Sequence, residues 1–330
     1  MRITRAQLVE AARREVERRA EADGLAAAYV IGSLVHDQAV LGGAADIDLV
    51  LIHDHVPDSP REIVGLSDEV HLDIAHHHRD QYAQPRMLRL DPWLGPAIYD
   101  PLPLHDPQHF FEWAQASARG QFLRADHRVA RAGAFLERAR RLQASLDVER
   151  PWVSPFARAA LSGANAIATL GGQPVAGRRL LPLLRIAAAE AGCPEAHAGL
   201  LRLLGAEARG PHDFAGWVSA WARAYDAAGP LTAEPDLLPE RRGYYLRGFQ
   251  AQLESETPHA VLYTLLDTWE RSLSTLAAFG QAEEYRTIWE QATTHLDLTA
   301  DIAPRRLDEL ETYLDTLEAF LEEWSARYGA

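Results

Sequence analysis

The sequence predicts an α+β fold: a small mixed β-sheet domain over residues 1–108, followed by an all-α helical bundle over residues 109–330. Three observations carry this. Up to about residue 108, short apolar runs of period two alternate with turn-rich segments. From Gln108 onward the apolar period is helical to the C-terminus. The helical half is divided by Gly, Pro and Asp punctuation, with no low-complexity linker and no repeat of fixed period.

Taken in order, Leu8, Ala11, Ala12, Val16 and Ala20 fall at helical spacing among arginines and glutamates, and Gly24 offers a stop. That helix leads into a strand over Leu25–Ile31. A second apolar run, IDLVLI, follows Asp46 and ends near His53, after which HDHVPDSPRE reads as a loop. Val70, Leu72 and Ile74 alternate with His71, Asp73 and Ala75 as a further strand. The segment QYAQPRMLRLDPW reads as irregular, and residues 93–107 hold two short apolar pieces broken by prolines, suited to edge strands or a crossing. So few elements predict a short, mixed sheet. Helices are predicted at 108–119, 126–146, 154–170, 178–191, 195–206, 212–227, 240–254, 258–279, 281–293 and 304–328.

A formal charge of -14 argues against an extended nucleic-acid partner, which normally meets a basic stripe, and suits small cationic molecules better. All 33 basic residues are arginine, which excludes a P-loop lysine and Schiff-base chemistry. The single cysteine, Cys193, permits neither an internal disulfide nor a cysteine-based zinc site, and reads as a passive thiol. The N-terminus is charged and helical in period without a signal-peptide core, and no run approaches membrane-spanning length. A cytoplasmic protein without a membrane partner is expected.

The stretch from Tyr29 to Asp48, YVIGSLVHDQAVLGGAADID, carries the chemistry. In a strand, Asp46 and Asp48 project from one face while Ile47 and Leu49 project from the other. Aspartates are depleted in strands and like charges on one face repel, so the pair needs a reason. A divalent cation supplies one: Mg²⁺ takes one or two carboxylates and completes its shell with water and substrate phosphate. Asp73 can reach the same edge from its own strand. Gly32 and Ser33 end the first strand in a turn whose amides and hydroxyl can hold phosphate oxygens.

Ile31-Gly32-Ser33, a twelve-residue spacer from Leu34 to Ala45, Asp46-Ile47-Asp48 and the later Asp73 together resemble the nucleotidyltransferase superfamily related to DNA polymerase beta. The chain departs from many relatives in lacking an Arg-Gly pair after Gly-Ser, where His36-Asp37 and Gly42-Gly43 stand, and in having Ala45 before the first aspartate. The resemblance implies Mg²⁺-dependent transfer of a nucleoside monophosphate, AMP foremost, from ATP or another nucleoside triphosphate to a hydroxyl of a small acceptor, with release of pyrophosphate. Asp46 and Asp48 would hold the metal, two ions with nucleotide bound. Gly32 and Ser33 would cradle the phosphates, and Asp73 would ligate the second metal or take the acceptor's proton. The two-part architecture is similar to that of antibiotic-modifying nucleotidyltransferases, the aminoglycoside enzymes among them. Transfer to protein or RNA ends, and a catalytically idle nucleotide-binding scaffold, are the alternatives.

Gly171 opens GGQPVAGRRLLPLLR, which places Arg178 and Arg179 at a helix start, where positive charge is disfavoured unless an anion is bound. The pair resembles the triphosphate-holding basic residues of related helical domains; a solvated pair is the plain alternative. On a strand His76 and His78 share a face that His77 does not, and His71 shares one with Asp73. Trp217, Trp221, Tyr244, Tyr245 and Trp269 read as core, or as the wall of an acceptor pocket. There is no G-x-S-x-G elbow, no G-x-G-x-x-G turn, and no arginine followed four to six residues later by histidine, as RNA-cutting helical partners carry. The last helix sets Leu307, Leu310, Leu314, Leu317 and Phe320 along one side. Such a stripe docks on its own bundle in a monomer or, less readily, forms a homodimer seam.

Overall fold

The computed structural model describes residues 3–20, 24–36, 38–208 and 210–330. In chain order the elements are α1 (Arg5–Ala20), β1 (Leu25–Val30), β2 (Val40–Leu41), β3 (Ala44–His53), β4 (Arg61–Gly65), β5 (Val70–His78), α2 (Pro85–Leu88), α3 (Leu94–Tyr99), β6 (Leu102–His105) and α4 (Phe110–Arg119). They continue as α5 (Ala125–Ala144), α6 (Val153–Gly171), α7 (Leu180–Ala191), α8 (Glu195–Leu203), α9 (Phe214–Ala228), α10 (Arg242–Leu253), α11 (Leu262–Ala278), α12 (Glu283–His295) and α13 (Ala303–Tyr328). This is the α+β class expected, a mixed sheet near the N-terminus followed by many helices.

The sheet has the order β4-β5-β3-β1-β6, with β2 pairing β3. β3 and β5 run parallel and the other pairs are antiparallel. Parallel neighbours need a crossing, which β4 supplies by lying outside β5. One face carries Ala28, Val30, Ile47, Leu49, Leu51, Leu72 and Ile74, buried under Leu8, Ala12 and Val16 of α1. Those three recur every four residues because only one stripe of α1 meets the sheet. Arg19 of α1 pairs with Glu62 of β4 at 2.9 Å. On the opposite face Tyr29, Val50 and Ile52 pack with Tyr82 and with Phe111, Ala114 and Ala118 of α4. That second face turns from apolar to acidic toward the start of β3.

Three segments differ from expectation, the first being Pro85–Leu88, which forms the short helix α2 with Pro85 at its start inside a stretch expected to be irregular. Arg61 and Glu62, expected at the end of a loop, instead open β4; the strand is short, half-buried and at the sheet edge, so it lacks a clean alternation. In the 93–107 segment Leu102–His105 is the expected edge strand, whereas Leu94–Tyr99 is helical. Pro96 falls in the first turn, where no backbone hydrogen bond is lost, and Asp91 Oδ1 accepts from the amides of Trp93 and Leu94 at 2.9 and 2.6 Å.

The chain forms two compact units, one of Met1–Phe122 with Glu240–Ala251, the other of Leu123–Pro239 with Gln252–Ala330. The sheet-bearing unit therefore includes α4 and most of α10, beyond the boundary drawn from the sequence at residue 108. Gly243 of α10 lies so close to the Asp68 carbonyl that a Cβ there would collide with it. In the second unit α6 is the central helix, buried along nearly its whole length. Glu270 of α11 caps its start, accepting from the amides of Val153 at 3.1 Å and Ser154 at 2.6 Å. The apolar stripe of α13 docks within this unit, with Leu310, Leu314, Leu317, Leu321 and Trp324 buried and Leu307 and Phe320 at its margins. Trp217, Trp221 and Trp269 are core residues of the same unit. Among the described residues no helix is long and apolar enough to cross a membrane.

Candidate functional site

The acidic rim is built by strand register. Asp48 sits directly opposite Asp73 across the parallel β3–β5 pair, and Asp46 opposite His71. Paired positions on adjacent strands share a face, so all four side chains leave the sheet on one side. Sequence reasoning placed the three aspartates and His71 there, and the structure brings them together.

The Gly32-Ser33 turn belongs to the same rim. Ile31 N donates to Asp48 O at 3.0 Å, so β1 ends alongside the second aspartate. Gly32 follows at φ +71°, and a Cβ on it would strike Asp48 Oδ2. A side chain is excluded there both by the backbone conformation and by the carboxylate. The turn continues through a short helical segment, Gly32–Leu34, which Arg5 Nε holds by donating to Leu34 O at 3.0 Å. Ser33 Oγ is buried with no hydrogen-bond partner among the described residues. A buried hydroxyl without a partner is costly in a finished fold and suits a site that awaits a polar ligand.

The two inner carboxylates sit in opposite electrostatic settings. Burial, reinforced by the charges of Asp46 and Asp73, pushes Asp48 well above the usual carboxylate range, with Arg241 and Arg61 offsetting only part of this. No hydrogen bond among the described residues holds its carboxylate. Asp73 is half-buried; desolvation by itself would raise it, yet it is held below the usual range by the bonds and charges of Arg61 and Arg241. Arg61 Nε reaches Oδ1 at 2.7 Å and Arg61 Nη2 reaches Oδ2 at 2.6 Å. Arg241 Nη1 also donates to Oδ2. Asp46 is buried beside them, and His71, also buried, meets the Tyr244 ring edge-on at 5.0 Å.

These residues fit a divalent cation in part. Asp46 and Asp48 are two carboxylates on one face, one of them offset only in part by arginine charge, next to a turn whose Ser33 hydroxyl has no partner among the described residues; carboxylate oxygens are the protein donors that suit Mg²⁺. The three-carboxylate cage expected from the sequence is not assembled, because both oxygens of Asp73 already face guanidinium groups. No set of three or more His, Cys, Asp or Glu side chains among the described residues is arranged to hold a metal. The histidines agree: His76 Nδ1 lies 3.0 Å from His53 Nε2 and its Nε2 lies 3.3 Å from Glu62, while His77 meets the Tyr82 hydroxyl on the other face at 2.7 Å.

Arg178 and Arg179 belong to the second unit, in the turn Gly177–Arg179 ahead of α7. Arg178 is buried rather than solvated, and its carbonyl accepts from Gln252. Cys193 is buried and its thiol is pushed up to about 11 by burial, as a passive role requires. Sequence reasoning missed Arg61, Arg241 and Tyr244 as neighbours of the rim. Arg241 and Arg242 were detectable by the signal that singled out Arg178 and Arg179, paired arginines where a helix begins.

No family model matches the chain, and no curated protein matches it. Among solved structures it is similar to a nucleotidyltransferase-like protein from Exiguobacterium sibiricum 255-15, at 12% identity over 97% of this chain and 92% of that one, with a TM-score of 0.27. A likeness at that score carries no weight for fold or chemistry, which rest on the sheet and its rim.

Proposed function

We propose that the chain is a Mg²⁺-dependent nucleotidyltransferase, moving a nucleoside monophosphate, AMP foremost, from a nucleoside triphosphate to a hydroxyl of a small acceptor. The observation that carries this reading is the contact of Gly32 with Asp48, which joins an amide-lined turn to a half-buried carboxylate whose charge the nearby arginines offset only in part. Asp46 and Asp48 would hold the cation, which when bound neutralises phosphate charge and aligns the attacking and leaving oxygens. The amides of the Gly32 turn and the Ser33 hydroxyl bind phosphate oxygens and fix the triphosphate against the rim. The acceptor oxygen then bonds to the α-phosphorus, the bond from that phosphorus to the pyrophosphate oxygen breaks, and the hydroxyl proton passes to solvent water. Asp73 is poorly suited to take that proton, since both its oxygens accept from arginine and its carboxylate is held ionised.

The acceptor proposed is a small polycation of the aminoglycoside kind, for which a chain of charge -14 provides attraction. The test is purified protein with Mg²⁺ and each α-labelled nucleoside triphosphate against aminoglycosides, lincosamides, tRNA and a whole proteome. Label on a small molecule with stoichiometric pyrophosphate is expected. Label on a protein band or on RNA moves the acceptor to those classes, and absence of both binding and transfer leaves a scaffold.

A further inference from the structure

We infer that Asp73 is a positioning residue, and that Arg61 and Arg241, which it fixes at the rim, are the grip for the outer phosphates of the nucleotide. The inference rests on the nucleotidyl-transfer reading above and assigns a role to two side chains that the motif does not contain.

The geometry is that of an anchor. Ile63 of β4 lies directly opposite Asp73, so Arg61, two residues away on the same face, is its diagonal neighbour. Its guanidinium meets the carboxylate as a two-pronged fork, Nε to Oδ1 and Nη2 to Oδ2. Arg241 arrives from the turn ahead of α10 and adds a third bond to Oδ2. It is 6% exposed, and its guanidinium carbon stands 5.3 Å from the centres of both the Tyr244 and Tyr245 rings, which leaves it little freedom.

The charges point the same way. Asp73 binds both permanent cations, and both act on Asp48, the residue that touches the Gly32 turn. A triphosphate seated on that turn brings several negative charges to the rim, and the leaving pyrophosphate gains more as the bond to the α-phosphorus breaks. Cations fixed in advance stabilise that charge without reorganisation. The chain contains no lysine, so all of its permanently charged basic side chains are arginines. Their planar forks match phosphate oxygens in pairs.

The test compares wild type, Arg241→Ala, Arg241→Lys, Arg61→Ala and Asp73→Asn. Calorimetry with inorganic pyrophosphate, a non-hydrolysable triphosphate and a nucleoside monophosphate reads the grip; Mn²⁺ binding without nucleotide reads the metal site. Arg241→Ala is expected to weaken pyrophosphate and triphosphate by about 10–100-fold, as loss of charge-assisted hydrogen bonds does, with monophosphate affinity nearly unchanged. Arg61→Ala follows the same pattern. Arg241→Lys keeps the charge and the packing, loses the fork, and falls between. Asp73→Asn weakens pyrophosphate while leaving Mn²⁺ affinity as in wild type. If Asp73→Asn instead loses Mn²⁺ and both arginine variants bind pyrophosphate normally, Asp73 is a metal ligand and the grip is refuted. Wild type that binds no triphosphate at all overturns the transferase reading itself. Wild type that binds it, with an Arg241→Lys protein that binds it equally tightly, overturns only the grip.

Discussion

Replacing Gly32 with alanine isolates the contact on which the rim depends, and Gly24→Ala is its control. Both glycines have positive φ, +71° and +58°, so alanine brings backbone strain of about 1–2 kcal/mol at either position. They differ in space. A Cβ at Gly24 meets nothing within 4 Å, whereas one at Gly32 meets the Asp48 carboxylate, with Cγ at 3.2 Å. Restoring ordinary contact at position 32 requires the carboxylate oxygen to move by about 1 Å, given optimal separations of roughly 3.5 Å. A displacement of that size at a reacting centre costs about 100-fold in rate. Thermal denaturation should therefore show similar losses for the two variants, a few degrees each, while label transfer and triphosphate binding fail only in Gly32→Ala. Equal activity of the two variants would refute the reasoning, because the backbone strain is shared and only the collision is specific.

Three further outcomes are expected. Asp46→Asn and Asp48→Asn should each abolish transfer with the fold intact by circular dichroism, and Asp48→Asn should unfold later than wild type by about 0.5–2 kcal/mol, since it removes a repelled, half-buried charge; unchanged turnover would remove either residue from the mechanism. Arg178→Ala should raise the KM for nucleotide more than that for acceptor, and the opposite pattern in steady-state kinetics would assign Arg178 to the acceptor. Glu270, raised to about 7 chiefly by burial, is stabilising in its protonated form: that contribution is complete below about pH 4.5 and is lost as pH rises through about 7, a change of about 3 kcal/mol. Chemical denaturation of wild type and Glu270→Gln at pH 5 and pH 8 measures it, with the difference between them shifting toward the glutamine variant at the higher pH; a pH-independent difference would contradict the assignment.

Much of this was legible in the chain, for identifiable reasons. The helices of the second half follow from apolar period and punctuation, which act locally, and the observed bounds differ from expectation by only a few residues. The co-facial aspartates follow from the two-residue period of strands, which holds whatever the topology. What the sequence concealed is partnership. The period of α10 marks an apolar face without saying which unit it meets, and Glu240–Ala251 belongs to the sheet-bearing unit although it lies far along the chain. Arg61 reads as the end of a polar loop until β4 is seen beside β5, and only that pairing places its guanidinium on Asp73. For the same reason Asp73 read as a metal ligand or base: its strand was predictable, but the cations that occupy its oxygens come from 12 and 168 residues away.

The most direct measurement is an experimental structure with Mg²⁺ and a non-hydrolysable nucleoside triphosphate. Phosphate density is expected at the Gly32 amide and the Ser33 hydroxyl, with a cation between Asp46 and Asp48. A nucleotide bound elsewhere, or a rim that stays without nucleotide at saturating concentration, would contradict the assignment of this site to nucleotidyl transfer.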